Sequence, residues 1–390
     1  MSLNLDKSHW KRVAFGDAIQ NVTERINPAE ADVDRYVGLE HLDPGVMTVQ
    51  RWDSPDVVEG QKLRFRAGDV IFGRRRAYQK KVALAEFDGI CSAHALVLRA
   101  REDFVSPEFL PVFLSSDQFL ERAIAISVGS LSPTVNWRDL KVQEFDLPPL
   151  QEQKRIADLL WAVERHKRTL ADEVESVQGV LARVAATRLS ALPTTARLGD
   201  LTTTRSGPSF PASDVHGESV EGSVPVIGIP NTKPDGTIDL EGVGHVTGLP
   251  ASVSTIDESS LILIRTNGNR QRIGNVYIPP EAAHGHAVSA FQFLMRANDM
   301  SDRDYLFWVL SEAGMQHRMS DAASGTVGLG NLAVRWLNEL EIPWTELPEE
   351  RRAFVETLGT LRDGLARLRA EVAAVTAVGK VVLGEMLGGS

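Results

Sequence analysis

Two stretches of the chain carry an apolar stripe at helical spacing with almost nothing to break it. From Gln151 to about Arg188 there is no proline and one glycine, Gly179. Ile156, Leu159, Val163, Leu170, Val174, Val177, Leu181 and Val184 recur mostly in alternating steps of three and four, the spacing of a coiled-coil seam. The C-terminal stretch repeats this with Phe354, Leu358, Leu361, Leu365, Leu368, Val372, Val375, Val382 and Met386. A helix of about 36 residues is ~54 Å long. Acids sit where a helix N-terminus favours them: Glu152 follows Pro148 and Pro149, and Glu349 and Glu350 follow Pro348. Each stripe needs burial, and the other stripe is the nearest cover. A globular segment separates them, so the pattern predicts an antiparallel pair in which Ile156, Leu159, Val163, Leu170, Val177 and Leu181 face Phe354, Leu358, Leu361, Leu365, Leu368 and Val372. The alternative is that each helix packs only on its own domain.

Before each stripe the polar pattern changes to short alternating runs typical of strands, and these runs occur twice in the same order. KRVAFGD (11–17) resembles TARLGD (195–200), and GDVIFGRRR (68–76) resembles SSLILIRTN (259–267). SAHALVLRA (92–100) matches SAFQFLMRA (289–297), and SVGSLSPTVNWRDL (127–140) pairs with SGTVGLGNLAVRWLNEL (324–340). The ends match as well: FDLPPLQEQKRIADLL with LEIPWTELPEERRAFVETL. The fold expected is α+β. Two mixed α/β domains, 1–150 and 191–345, stand in tandem, separated and joined by long helices at 151–190 and 346–390. The halves share framework and differ in loops, RRRAYQKK in one and RTNGNRQR in the other, so they should read different things with one architecture.

Composition narrows the chemistry. In 390 residues, 43% are hydrophobic, ample for ordinary cores, and the net charge is -10. That acidity excludes a uniformly basic nucleic-acid coat. Basic residues are concentrated instead. No acid lies between Asp69 and Glu86, where Arg74, Arg75, Arg76, Lys80 and Lys81 crowd together. The stretch 261–280 is also acid-free and holds Arg265, Arg270 and Arg272. Windows 122–138 and 322–338 lack acids too and are rich in Gly, Ser, Thr and Asn. Cys91 is the sole cysteine, which excludes an intramolecular disulfide and a cysteine-based zinc site. The first residues, MSLNLDKSHWKRVAF, form no apolar leader, and no apolar run reaches the roughly 20 residues of a membrane span. A cytoplasmic protein is expected.

Catalytic readings are weak. His284 and His286 in HGH lack a nearby acid and suit a loop better than a metal site. PDGTIDLEG (234–242) has no lysine at nuclease spacing, and its Asp235-Gly236 reads as a turn. There is no G-x-x-x-x-G-K-[ST] phosphate loop and no Asn-Pro-Pro-aromatic stretch of the kind that holds a flipped adenine. Composition and spacing lead to a two-headed recognition protein on a helical rod, with a coiled-coil scaffold that binds only proteins as the competing reading.

LPPLQEQKRIADLL (147–160), RAGDVIFGRRR (66–76) and SVGSLSPTVNWRDLKVQEFDLPP (127–149) resemble the DNA-specificity subunit of type I restriction-modification systems, and the likeness of plan extends over nearly the whole chain. The second copy departs from that pattern, since WTELPEERRAFVETL lacks the Gln-Lys core and has gained residues before the helix. The resemblance implies a non-catalytic subunit that reads a bipartite, asymmetric site in double-stranded DNA. It implies two adenine-N6 methyltransferase subunits as partners and, in the full assembly, restriction/translocase subunits. S-adenosylmethionine, ATP and Mg would belong to those partners, with no cofactor or metal on this chain.

Side-chain chemistry then assigns the loops. Arg forks to guanine O6 and N7, Asn and Gln pair with adenine, and Lys more often grips phosphate. Arg74, Arg75, Arg76 and Gln79 are base-edge candidates in the first reader, Lys80 and Lys81 phosphate candidates, and Tyr78 a stacking or bracing group. Arg265, Thr266, Asn267, Asn269, Arg270, Gln271 and Arg272 play the parallel parts in the second, with Gly268 permitting a tight turn. Ser132, Thr134 and Asn136, before Trp137, form a second polar loop that Thr326, before Trp336, echoes. Such small donors suit phosphate contact and equally suit a plain turn.

Overall fold

The two stripes become two helices, α1 (Leu150–Ser190) and α2 (Pro348–Leu387). The computed structural model describes residues 6–325 and 329–388. The chain forms two compact units. One runs to Asp172 and resumes at Arg369, and the other is Glu173–Leu368. Each unit therefore owns one half of each long helix.

Within both units the helix halves run antiparallel, as the stripes require. In the first unit Ile156, Ala157 and Leu160 share a core with Met386 and Leu387, while His166 Nε2 lies 3.9 Å from Glu371 Oε1. Rising numbers on α1 meet falling numbers on α2. In the second unit Ala185 and Leu189 share a core with Phe354 and Leu358, and Arg188 Nη1 donates to Thr357 Oγ1 at 3.2 Å. Of the expected seam, Ile156, Leu170, Phe354, Leu358 and Leu365 are buried, while Val163, Val177, Leu181, Leu361, Leu368 and Val372 are half-buried. Leu159 is the departure: it is exposed. The start of α1 also lies against the rest of its own unit, through Gln153, Ala157 and Leu160. That shifts the buried face by part of a turn and leaves Leu159 outside it.

The repeat in the sequence is a repeat in space. In the first unit a four-stranded sheet has the order Ile19–Val22, Leu96–Ala100, Val70–Phe72, Val82–Leu84. The second unit has Thr202–Ser206, Gln292–Ala297, Ser260–Ile264, Val276–Tyr277. The matched segments thus occupy equivalent places, and all their pairings are antiparallel. A further strand pair closes each unit, Lys11–Ala14 with Glu144–Leu147 and Thr194–Arg197 with Glu341–Trp344. The remaining sheets differ. In the first unit Gly89–Cys91 lies inside and Tyr36–Val37 at the edge, whereas in the second the earlier strand, Val224–Ile227, lies inside and the later one, Ala287–Val288, at the edge.

The boundary segment LPPLQEQ has a structural reason. Gln153, only 1% exposed, uses its whole amide. Its Nε2 donates to the carbonyls of Phe104 (2.8 Å) and Pro148 (2.9 Å), and its Oε1 accepts from the Ser106 amide at 2.9 Å. One side chain thus satisfies two carbonyls and one N–H that burial would otherwise strand. The second copy has replaced this neutral clasp with a charged one. Arg351 Nε donates to Asp302 Oδ1 at 2.7 Å, Nη1 donates to the Thr345 carbonyl at 2.6 Å, and the guanidinium lies 4.3 Å from the Trp344 ring centre. The altered sequence WTELPEERR therefore keeps the joint and changes its chemistry. Cys91 is buried, and burial pushes its thiol far above the usual range, leaving it unreactive. Among the described residues no helix is long and apolar enough to cross a membrane.

Candidate nucleic-acid interface

In the first unit the fully buried strand Val70–Phe72 delivers the chain through Gly73 into Arg74, Arg75 and Arg76. A single 3-10 turn, Ala77–Gln79, then returns it to the sheet. Arg76 and Lys80 bracket this turn with φ of 55° and 52°, the only non-glycine residues in the left-handed region among those described. Each such residue costs on the order of 1–3 kcal/mol and persists only where its surroundings fix it. The surroundings here are the polar loop before Trp137. Arg76 N donates to the Pro133 carbonyl at 2.7 Å, Val135 N donates to the Arg74 carbonyl at 2.9 Å, and Arg75 bridges to Thr134. Two loops separated by some fifty residues of sequence thereby form one surface.

On that surface Arg75 and Arg76 are exposed, and the Nε of each donates to Ser132 Oγ at 3.2 Å. The serine aims both side chains while their terminal nitrogens remain for a ligand. Arg74 is half-buried, with an Nε that has no partner. Tyr78 is exposed and Gln79 half-buried. The lysines are engaged within the protein: Lys80 Nζ pairs with Asp117 Oδ1 at 2.8 Å, and Lys81 Nζ donates to the Leu39 carbonyl at 2.6 Å. Lys81 thus braces the loop. Thr134 Oγ1 donates to the Ser132 carbonyl (3.0 Å), and Asn136 Nδ2 donates to Asp139 Oδ2 (3.4 Å) at the start of the short helix Trp137–Leu140.

The second unit builds the same junction with other residues. Strand Ser260–Ile264 is fully buried, and beyond Arg265 the pair Thr266–Asn267 runs antiparallel to Gly330–Asn331. Thr266 is buried, its Oγ1 donating to Asn331 Oδ1 at 2.8 Å. The arginines are engaged within the protein, Arg265 and Arg272 half-buried and Arg270 exposed. Arg265 Nη1 donates to Ser206 Oγ at 3.2 Å and stands over Phe293, Arg270 Nη2 donates to the Ala323 carbonyl, and Arg272 Nη2 donates to the Thr232 carbonyl and to Tyr277 Oη. What faces outward is amide. Asn267 Oδ1 accepts from the Asn269 amide (2.9 Å) and Asn269 Oδ1 from that of Gln271 (3.1 Å), leaving both Nδ2 groups as donors beside an exposed Gln271. Thr326 lies outside the described residues. Guanidinium groups therefore dominate the first surface and carboxamides the second.

Sequence reading passed over the apolar members of these surfaces. Leu131 is 92% exposed and Val128 65% exposed in the first, and Leu329 is 54% exposed in the second. Leu131 sits among Gly, Ser and Pro and belongs to no period of two or 3.6, so no core pattern could claim it. That isolation was the available signal. Among the described residues no group of three or more His, Cys, Asp or Glu is placed to hold a metal ion.

A pair of like-built units with unlike loops, each closed by antiparallel helix halves, defines a class of duplicated two-unit proteins. Residues 54–176 match the family model described as Type I restriction modification DNA specificity domain. The type I restriction enzyme EcoDI specificity subunit of Escherichia coli is 30% identical over 179 residues, which span 45% of this chain and 39% of that protein. The fold is shared with the type I restriction-modification S subunit of M. genitalium (14% identity, TM-score 0.59, covering 100% of this chain and 99% of that one). A chain solved in work on assembly and conformational transition of the type I R-M system is similar at 22% identity, TM-score 0.59 and 98% coverage of both chains. Residues 54–176 thus resemble the type I restriction-modification specificity subunits, and the fold along the chain is one that such subunits share.

Proposed function

We propose that the chain is the DNA-reading subunit of a type I restriction-modification assembly, without catalytic activity of its own. Each unit reads one short sequence through its strand-end loops, so the target is bipartite and asymmetric, with unexamined base pairs between the two parts. The observation that carries this reading is the retention of one framework with chemically different loops at equivalent strand ends: Arg75 and Arg76 in one unit, Asn267, Asn269 and Gln271 in the other. Arginine forks suit guanine, and carboxamides suit adenine. Duplicated catalytic domains would keep a common polar constellation, and these surfaces share none. Two adenine-N6 methyltransferase subunits bind the chain, and restriction/translocase subunits join in the full assembly. S-adenosylmethionine, ATP and Mg are held by those partners.

Methylome sequencing of a host carrying the chain with its methyltransferase subunit tests the proposal. The expected result is N6-methyladenine in a split motif with a fixed gap. Methylation without a split motif, or transfer of label from S-adenosylmethionine by the purified chain alone, would refute it. The scaffold alternative predicts no affinity for duplex, whereas a DNA reader binds with an affinity that falls steeply as salt rises.

A further inference from the structure

The two surfaces hold an apolar feature that hydrogen bonding and charge do not account for. Leu131 stands 92% exposed at the tip of the loop between Val128 and Thr134, whose backbones exchange hydrogen bonds of 3.0 and 2.9 Å. Gly129, at φ +116°, turns the chain there. The tip is clamped from below by the Arg76–Pro133 and Val135–Arg74 backbone bonds, and Ser132, next to Leu131, receives both arginine Nε groups. The leucine is therefore presented on a fixed base, flanked by Val128 and by two guanidinium groups. In the second unit Leu329 is exposed two residues before Asn331, which pairs with Thr266 as Thr134 pairs with Arg75. Two loops of unlike sequence thus keep an outward leucine at the same junction. An exposed side chain of this size gains nothing from the fold, since it is the burial of apolar surface that stabilises.

We infer that Leu131, and Leu329 in the second unit, are specificity-determining residues that recognise thymine by apolar contact with its C5-methyl group. This rests on the duplex-reading proposal above. On the major-groove edge the thymine methyl is the one sizeable apolar group the base pairs offer, larger than the C5–H of cytosine at the same place, so it is the partner a leucine complements. The neighbouring arginines work in the same groove when they fork to guanine. An isoleucine- or leucine-type wedge between base steps belongs instead to the minor groove and kinks the duplex.

The test is selection from random-sequence duplexes by the full-length chain together with its methyltransferase subunit, compared with Leu131→Ala, Leu329→Ala and Arg75→Gln/Arg76→Gln. Because Leu131 is exposed, its alanine variant should unfold at the wild-type temperature, which separates misfolding from lost recognition. Wild type is expected to select thymine at one or more positions of each half-site. Leu131→Ala should lose that preference in one half and keep the other half intact, and Leu329→Ala should do the reverse. Uracil in place of the selected thymine should weaken wild-type binding about four-fold, the worth of one buried methyl-sized group, and leave Leu131→Ala indifferent. Unchanged selection by both alanine variants overturns the inference. So does a wild type indifferent to uracil, including one whose leucine instead unstacks 2-aminopurine placed in the site as a wedge would. If the arginine variant loses the motif while the leucine variants do not, only the methyl contact falls. If wild type selects no duplex, the DNA-reading proposal falls with it.

Discussion

Removing the cation from the Arg351 clasp should be far more damaging than removing the whole ion pair. The side chains of Arg351 and Asp302 are 9% and 12% exposed, so Arg351→Met strands a carboxylate with little access to water. It also strands the Thr345 carbonyl, which loses its 2.6 Å donor, and removes the guanidinium from the Trp344 face. Breaking a buried pair from one side costs about 3–5 kcal/mol. For a unit of the size of Glu173–Leu368, each kcal/mol shifts the melting temperature by roughly 2–4 °C, giving a fall of about 6–20 °C. Asp302→Asn in the Arg351→Met background removes the stranded charge. Replacing both members of a buried pair is often close to neutral, so the double variant should recover about 2 kcal/mol or more over Arg351→Met. Urea unfolding followed by tryptophan fluorescence and by circular dichroism measures both quantities, and a double-mutant cycle isolates the coupling. If the double variant is as unstable as the two single losses added together, Arg351 acts by packing on Trp344 and the electrostatic account is wrong.

Three further outcomes are expected. Gln153→Ala leaves the Phe104 and Pro148 carbonyls and the Ser106 amide without partners, and should cost the first unit about 2–4 kcal/mol, with Gln153→Glu failing to rescue because a carboxylate cannot donate to those carbonyls; urea midpoints measure it, and a loss below about 0.5 kcal/mol would refute the clasp. Burial, helped by Asp302 and Glu350 against the pull of Arg351, pushes the Tyr305 phenol from 10.0 up to about 12; the folded state holds that proton more tightly, so stability complete below pH 10 should decline between pH 10 and 12, and Tyr305→Phe should flatten that part of the profile relative to wild type. A heptad inserted into α1 after Asp172 and into α2 after Leu368 adds ~10.5 Å, about three base pairs, and should lengthen the gap in the methylated motif by that amount, whereas an unchanged gap sinks the idea that the helices act as a ruler.

The stripes of α1 and α2 were legible because helical period is a property of the backbone, and burying either face of a long helix demands it. Leu159 was misplaced for a related reason: a helix covered by the sheets of its unit on one side and a partner helix on another buries a face wider than any single heptad seam. The framework strands were legible as well, since both copies of GDVIF and ALVLRA must fill a core. The exchanged neighbours in the smaller sheets were not, because strands of two or three residues carry no period and their order is settled by contacts distant in sequence.

The loops show the limit more sharply. Residue type assigned Lys81 to phosphate, and Arg270 and Arg272 to base edges alongside Arg75 and Arg76. Yet the first three find the carbonyls of Leu39, Ala323 and Thr232, partners 40 or more residues away, while the last two find only Ser132. An arginine has five N–H donors: the Ser132 contact holds only the Nε of Arg75 and Arg76 and leaves their terminal nitrogens to other partners, whereas the carbonyl contacts of Arg270 and Arg272 tie down a terminal nitrogen of the fork itself. Which of these befalls a given arginine depends on what tertiary structure brings beside it. A window of basic residues in sequence therefore sets an upper bound on the charge available to phosphate or base, and here the bound is approached in the first unit and missed in the second. With Arg265, Arg270 and Arg272 each engaged within the protein, the second loop offers Asn267, Asn269 and Gln271, so under the proposed function two loops with three arginines each should prefer different bases.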